Sequence, residues 1–597
     1  MPDGHPKIVA TTALQSFWGS DEPDAFLGRW CLLFPLDVDR PALASRVLDY
    51  PFASRQSRLD AYRYCIDLKA ALLTDFVDIL NSYHRISRSA RYWNVLLCGW
   101  LHRMVMTAYH HFQCLQAARA SFADIRIFGP RAESVASPPT SGVLYRELWG
   151  SYRHLAIFSD LADALAIRCE RIQSSEPDLP ASPLPDVERG GGASSGISQG
   201  LRTIGRALAG RLAMHAESVL YNATPNAQEA LWLAASSGFR IARLPLRRMS
   251  DIQWPQIDTA WRENLASDLR KRTCQSGFPA ALATVLSRTL PISLLEGFGV
   301  LRDYVSTCFP PNTRAIVSGT AWLGDDAFSL WAAERSEQGA RLISAQHGGS
   351  YGIREMLSGS ELVEAEIVDK FLSWGQDIAV GTNTSAVPML PHFYVRRRSP
   401  GSSSRLLYLA GTGGLLLPYG FMSAVDGPDA IDYIDRQRAF FTALPDRISR
   451  DFLIRPHPLH FGWFEKDRFR KWFPDIDFDD YSADLLQRLR EAKLVVADNM
   501  NTSYLQAIGS NVPTILVWDR DRWSLNAKAE RNFDRLRDAG VLYDDPAAAA
   551  RAMTEIAADP VAWWTSKPVA DAIGNFIRCY FQIDGGWLKP WREQLKA

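Results

Sequence analysis

Four short clusters in this 597-residue chain combine side chains able to move protons with backbone able to approach an anion. The first, Gln346-His347-Gly348-Gly349-Ser350-Tyr351-Gly352, sets a histidine among glycines. Glycine lets backbone come close to a ligand and frees N–H groups for anionic oxygens. A histidine there can act as a general base or donate to a phosphate; the competing reading is a tight turn whose imidazole only satisfies backbone. In the second, Arg455-Pro456-His457-Pro458, two prolines stiffen the chain around an arginine and a histidine. Such a pair suits a diphosphate, because Arg grips oxyanions in a fork and His can protonate a leaving phosphate. A rigid loop with an exposed His is the alternative. The third, Asp498-Asn499-Met500-Asn501-Thr502-Ser503, offers hydroxyls and N–H groups at a helix start, a seat for phosphate, although Asn501, Thr502 or Ser503 would also serve as a plain N-cap. The fourth is Gly411-Thr412-Gly413-Gly414, a turn open enough for a nucleotide or phosphate to come close.

What must position these clusters is an alternation of strands and helices. Strand-like runs at 315–319, 341–345, 370–374, 405–410, 452–454, 494–497 and 514–518 alternate with helical ones at 327–338, 429–443, 482–491 and 503–508. That alternation predicts right-handed βαβ units and parallel sheets. Each cluster directly follows a strand, and open α/β sheets bind ligands beyond the carboxyl ends of their strands. A Ser/Arg/Pro-rich segment at 396–404 divides the series into two facing α/β domains. Upstream, 8–14 and 30–34 read as short buried strands. From 58 to 120 the pattern is helical, with Leu68, Leu72, Leu73, Phe76, Val77 and Leu80 at helical spacing. Residues 174–200 read as a surface loop or flexible linker, and 200–310 as mostly helical.

Lys+Arg and Asp+Glu number 66 each, so no global field draws the protein to nucleic acid or an anionic membrane. A charged ligand must be met by a local cluster. The eight cysteines lie far apart with no C-x-x-C pair and read as reduced thiols rather than a disulfide frame or zinc site. No secretory leader and no apolar run of ~18 residues is visible, which points to the cytosol. Asp-x-Asp pairs occur at Asp475/Asp477 and Asp477/Asp479, but Ile476 and Phe478 alternate with them as in a half-exposed strand. No metal or other cofactor is expected. His110-His111 and the Trp93/Trp100 segment read as packing, with a surface position open for the two histidines.

Taken together, Gln346-His347-Gly348 and Arg455-x-His457-Pro458 resemble the paired His-Gly and His-Pro elements of GT-B-like surface-polymer transferases: the CDP-glycerol glycerophosphotransferases, the bacterial polysialyltransferases and the capsule Kdo transferases. Their Asp-x-x-Ser/Thr-Ser turn corresponds to 498–503, one residue longer here. A fuller similarity covers nearly the whole chain, to a family of transferases found in O-antigen and surface-carbohydrate gene clusters. It is carried by Ala10-Thr11-Thr12-Ala13-Leu14, Leu27-Gly28-Arg29-Trp30-Cys31, Arg91-Tyr92-Trp93, 346–352, 369–375, 457–463 and Asn511-Val512-Pro513-Thr514-Ile515. The resemblance implies that His347 deprotonates the acceptor hydroxyl and that Arg455 and His457 hold the donor phosphate, helped by Thr502, Ser503 and their helix N-terminus. Asp498, Asn499, Gly411, Gly413 and Gly414 would complete the donor side; Gln346, Gly348, Gly349, Tyr351 and Glu355 would line the cleft. Gln506 stands where the family places a Glu for ribose hydroxyls. Glu355, Glu361, Glu364 and Glu366 offer an alternative base, their spacing predicting a solvated helix face for most of them.

The expected fold is therefore α/β and GT-B-like. It has an N-terminal Rossmann-like, acceptor-side domain (1–395) carrying a helical insertion at about 58–310, and a C-terminal nucleotide-sugar domain (405–597) with a helical tail. The expected activity is metal-independent transfer of a nucleotide-activated sugar, a CMP-linked acidic sugar among the candidates, to a glycan or lipid-linked surface-polysaccharide acceptor. Peripheral attachment to the inner membrane fits such an acceptor. The alternatives are a sugar-nucleotide epimerase of the same architecture and a non-catalytic sugar-nucleotide-binding protein.

Overall fold

The computed structural model describes residues 6–33, 41–176, 205, 207–247, 249–396, 405–411, 427–458 and 464–596. Three parallel sheets organise them. The first contains β1 (Lys7–Ala10), β2 (Ala25–Phe26), β3 (Ile125–Pro130) and β4 (Arg168–Ile172), in the order β2-β1-β3-β4. The second contains β5 (Ser218–Leu220), β6 (Ile241–Arg243), β7 (Ala315–Ser318), β8 (Arg341–Ala345), β9 (Lys370–Ser373) and β10 (Thr384–Ala386), ordered β10-β9-β8-β7-β5-β6. The third contains β11 (Arg405–Leu409), β12 (Phe452–Arg455), β13 (Asp477–Phe478), β14 (Ala492–Ala497), β15 (Thr514–Val517) and β16 (Leu542–Tyr543), ordered β13-β12-β11-β14-β15-β16.

The third order is the doubly wound 3-2-1-4-5-6 sequence of Rossmann sheets. The second follows the related 2-1-3-4-5 winding with one added edge strand. The α/β, GT-B-like expectation therefore holds, with an additional small sheet at the N-terminus. In each large sheet the order reverses between two neighbours, β5 and β7 in one and β11 and β14 in the other. The crevice outside their carboxyl ends is where such sheets bind ligands.

Several sequence expectations need correction. The block 58–310 is more than helices: it contains β3, β4, β5 and β6, so the second sheet begins near 218 rather than 314. Three-residue strands between long helical stretches leave too short a period-2 signal to read. Of the strand expected at 30–34, residues 30–33 do not form one, and 34 lies outside the described residues. Arg29–Leu32 is a 3₁₀ turn, because the Trp30 ring folds over Gly28, leaving no room for a Cβ there, and its Nε1 donates to Thr11 O at 3.2 Å. The strand expected at 8–14 ends at Ala10. The tail does not stay with the third sheet. Gln582 N donates to Trp374 O, Trp591 Nε1 donates to Pro388 O, and Ser218 Oγ donates to Leu595 O, so the last helix packs on the second.

Two long helices hold the layers together. Arg55–His84 and Ala90–Ser121 start at Ser54 and Ser89, whose side chains accept from the third N–H of each helix. Ala90–Ser121 is apolar nearly all round, as a helix enclosed on every side must be. It buries Trp93 and Trp100 against helices from all neighbouring layers. His110 and His111 are buried in it, which settles them as packing residues. Residues 177–200 and 397–404, expected as linkers, lie outside the described residues apart from the flanks.

Candidate functional site

His347 leaves β8 and lays its ring edge over the second sheet's switch point: a Cβ on Gly319, just past β7, would meet His347 Cδ2 at 3.4 Å and Asn222 O, past β5, at 3.5 Å. Its Nε2 lies 3.2 Å from Glu364 Oε1 and 2.6 Å from the Tyr351 hydroxyl. A carboxylate only accepts, so the tautomer protonated on Nε2 donates to Glu364, and Nδ1 has no hydrogen-bond partner among the described residues. The His347 side chain keeps 22% exposure while Glu364 has none. Glu364 Oε1 also accepts from Ser344 Oγ at 2.9 Å, which fixes the carboxylate behind the ring. Burial, followed by the charge of Glu364, pushes the Tyr351 hydroxyl well above its usual range, so it stays protonated. This is the base–orienter geometry that makes an imidazole a directed proton acceptor.

Of the glutamates on helix Gly359–Ile367, Glu366 is exposed, but two are not on a solvated face, contrary to the sequence reading. Glu361 and Glu364, one turn apart, are both buried. Glu361 accepts from Gly352 N at 2.6 Å and closes a capping box with Ser358, so it ties the 346–352 loop to the helix. Glu366 pairs with Lys69, and Glu355 with Arg55 at 2.7 Å. Gln346 is a clamp: Nε2 donates to Gly348 O and Oε1 accepts from Trp374 N at 2.7 Å. Gly348 lies against the Tyr351 ring.

This loop rests directly on the third sheet. A Cβ at Gly349 would come within 2.6 Å of Asn501 O, so only glycine fits. Tyr504 Oη donates to Gly349 O at 3.1 Å, Asn526 Nδ2 to Gly352 O at 2.9 Å and Glu355 N to Ser524 O at 3.0 Å. The contact brings the His347 loop to the start of helix Thr502–Gly509. There Asn501 is the N-cap but its side chain makes no capping hydrogen bond. The first-turn N–H groups and the half-buried Thr502 and Ser503 are thus available to an anion, favoured by the helix dipole. Gln506, one turn on, is partly exposed.

Asp498 has a different task. Oδ1 accepts from Gly411 N and Asn499 Nδ2, and Oδ2 from the hydroxyls of Tyr408 and Tyr433 and from Gln437 Nε2, at 2.6–3.0 Å. Five donors fill the lone pairs of a carboxylate, so Asp498 holds loops together and has nothing left for a ligand. Burial pushes its pKa up against those hydrogen bonds. Asn499 is buried too, donating to Leu409 O and accepting from Asn501 N. Beside this hub a small pocket of about 30 Å³ opens past β14 and β15. Trp518 lines it, and its buried Nε1 has no hydrogen-bond partner among the described residues.

Arg455 and Ala497 occupy one register row through Leu409. The Arg455–His457 exit therefore lies two strand spacings, roughly 10 Å, from the Asp498 loop. Arg455 is anchored: Nη1 pairs with the buried Asp479 and donates to Ala483 O at 3.1 Å, and the guanidinium sits 4.9 Å over the Tyr481 ring. Burial opposes ionisation of Asp479, but hydrogen bonds from Arg488, the Tyr481 backbone and Arg455 outweigh it and hold its pKa low. Asp479 thus belongs to an ion-pair network rather than to an Asp-x-Asp metal site. His457 is half-buried at the strand exit. Gly413 and Gly414 lie outside the described residues; of that cluster only Gly411 is placed, against Asn499 and Tyr433.

Sequence reasoning missed Glu364 as the partner of His347, and Trp518. The strand-end rule applied to 514–518 would have marked Trp518. The sequence offers Glu364 only as one of four alternative bases, because nothing local distinguishes a buried glutamate from its neighbours one turn away.

Two Rossmann-like sheets meeting at their carboxyl ends, with a histidine on one and an open helix N-terminus on the other, define a GT-B-like transferase. The chain belongs to the LIC12162 family of transferases, whose pattern matches residues 7–595. None of the curated proteins compared with it matches. Among solved structures, MurG of Acinetobacter baumannii is similar over 63% of this chain and 98% of its own at 10% identity, with a TM-score of 0.34. WaaG, a glycosyltransferase of lipopolysaccharide biosynthesis, covers 64% of this chain and 100% of its own at 11% identity and TM-score 0.29. The wall teichoic acid polymerase TagF covers 67% and 95% at 9% identity and TM-score 0.32. No helix among the described residues is long and apolar enough to cross a membrane.

Proposed function

We propose that the protein transfers a sugar from a nucleotide donor to a hydroxyl of a surface-glycan acceptor. The observation that carries this is the His347–Glu364 pair, set at one sheet's switch point and packed against the uncapped helix N-terminus of the other. In the reaction, His347 Nδ1 takes the acceptor's hydroxyl proton while that oxygen bonds to the anomeric carbon. The carbon–oxygen bond to the donor phosphate breaks, and the nucleotide leaves with the electron pair. The negative charge that appears on the phosphate is met by the N–H groups at Thr502 and Ser503, with Arg455 and His457 on the adjoining strand exit. Glu364 stabilises the imidazolium that forms, as an orienting carboxylate does. No step in this scheme requires a metal. A CMP-linked acidic sugar is one donor that suits the cationic exit, and a lipid-linked acceptor would bring the protein to a membrane surface.

The test is a panel of nucleotide sugars assayed for transfer and, without acceptor, for donor isomerisation. Replacing His347 by Ala in the folded protein is expected to lower kcat by about 10²–10⁴-fold, the range of a general base. Transfer at the parent rate by that variant would overturn the assignment, and product formed without acceptor would replace transfer with epimerisation.

A further inference from the structure

A second groove, with a volume of about 530 Å³, lies at the carboxyl end of the first sheet. None of its walls belongs to the His347 loop or to the third sheet. Its floor is Pro130 and Arg131, directly past β3, and Arg171 on β4; helices Ser151–Ala164, Thr259–Lys271 and Gly277–Thr289 supply its sides. Strand ends of an open parallel sheet are the expected place for a ligand, and this sheet has no other assigned. The volume lies within the ~300–1,000 Å³ of a small-molecule pocket, which is room for a short saccharide.

Its polar lining includes six guanidinium groups, and they divide into two sets. Arg153 and Arg262 are buried and saturated, the first by Glu147 and Ala136 O, the second by Glu296, Ser287 O and Leu290 O. They build the wall. Arg171 and Arg288 each have one carboxylate, Asp163 and Asp160. Arg131 and Arg270 are exposed and have no carboxylate partner among the described residues; Arg270 donates only to Thr284 Oγ1 and Ala280 O. Two acids, Glu133 and Glu263, line the groove unpaired among the described residues, so acceptors for hydroxyls alternate with forks for oxyanions. No aromatic ring lines the groove. Stacking therefore gives no hold on a neutral sugar, and recognition falls to charge and hydrogen bonds.

We infer that this groove is a saccharide-binding site, selective for a short saccharide bearing carboxylate or phosphate groups, with Arg131 and Arg270 as its anion forks. The inference stands on this groove alone and can fail or hold independently of the transfer reaction.

The test is equilibrium binding of the full chain to digalacturonate, maltose 1-phosphate and a neutral dextran disaccharide. One or both anionic probes are expected to bind, and which one does identifies the anion; dextran should not bind. R131A/R270A, which removes both charged anion forks, should weaken the anionic probe by about tenfold or more. R131K/R270K, which keeps charge but loses the forks, should fall between. H347A should bind like the parent, which separates this site from the transfer site. Should neither anionic probe bind, should dextran bind equally, or should R131A/R270A bind as the parent does while melting normally, the inference is overturned.

Discussion

The two large sheets place polar side chains at equivalent strand ends and commit them in opposite ways. Past β8, His347 is held from one side by Glu364 and Tyr351, and its other ring nitrogen is left open. Past β14, Asp498 receives donors on both oxygens and is closed. Position at a strand end therefore marks where function can sit, but the hydrogen-bond count decides what each group does. A half-satisfied group at a cleft is chemically available; a fully satisfied one is a scaffold.

The most direct way to break this contrast is to remove what orients His347. Glu364→Gln keeps the shape but replaces an obligate acceptor with an amide that can also donate, so Nε2–H is no longer enforced. We expect kcat to fall by about 10²-fold or more with KM little changed, by the tautomer argument that applies to base–orienter pairs. Equal kcat values for the variant and the parent, in a steady-state assay, would make Glu364 structural only.

The complementary change at the other sheet should act on stability. Asp498→Ala strands the hydroxyls of Tyr408 and Tyr433 and the Gln437 amide in a buried site, and is expected to cost about 3 kcal/mol in urea unfolding. A loss below about 1 kcal/mol would mean that water replaces the carboxylate and that the hub is not closed.

A smaller effect separates working from packed imidazoles. His110, His111 and His154 form a buried chain with contacts of 3.0 and 2.9 Å. Burial lowers the pKa of His110 to about 3 and that of His154 to about 4. Between the unfolded value near 6.5 and these folded values, the unfolded chain binds more protons, so stability falls as pH drops below 6.5. Asp160 and Asp325, raised to about 6 by burial, act in the opposite sense below pH 6 and partly offset the loss. His154→Gln should flatten the fall between pH 6.5 and 5 by at most about 1.4 kcal/mol per pH unit, read from urea midpoints. An unchanged slope would show that this chain is already protonated in the folded protein.

How much of this was visible in the sequence follows from how local each signal is. Long apolar runs ending in Gly, Pro or Asx gave the strands and loops of the third sheet and the position of His347, because strand and turn chemistry sit within a few residues. The second sheet's β5 and β6 were hidden by their length, and Arg29–Leu32 by the fold-back of Trp30. The saturation of Asp498 depends on Tyr408, Tyr433 and Gln437, up to 90 positions away in the chain. No reading of 498–503 alone distinguishes a phosphate seat from a hub. Glu355, read as part of the cleft, instead serves an ion pair with Arg55, 300 residues distant.

The fit of Gly349 against Asn501 has a mechanical corollary. Where a carbonyl leaves no space for even a methyl group, and three hydrogen bonds fasten the adjoining backbone, two lobes cannot slide past one another at that point. A rocking of the second sheet against the third that keeps these contacts would pivot there. The proton acceptor and the seat for the departing phosphate then sit at the axis of the motion, where displacement is smallest, and the mouth of the cleft can gape for large substrates while the reacting groups keep their separation.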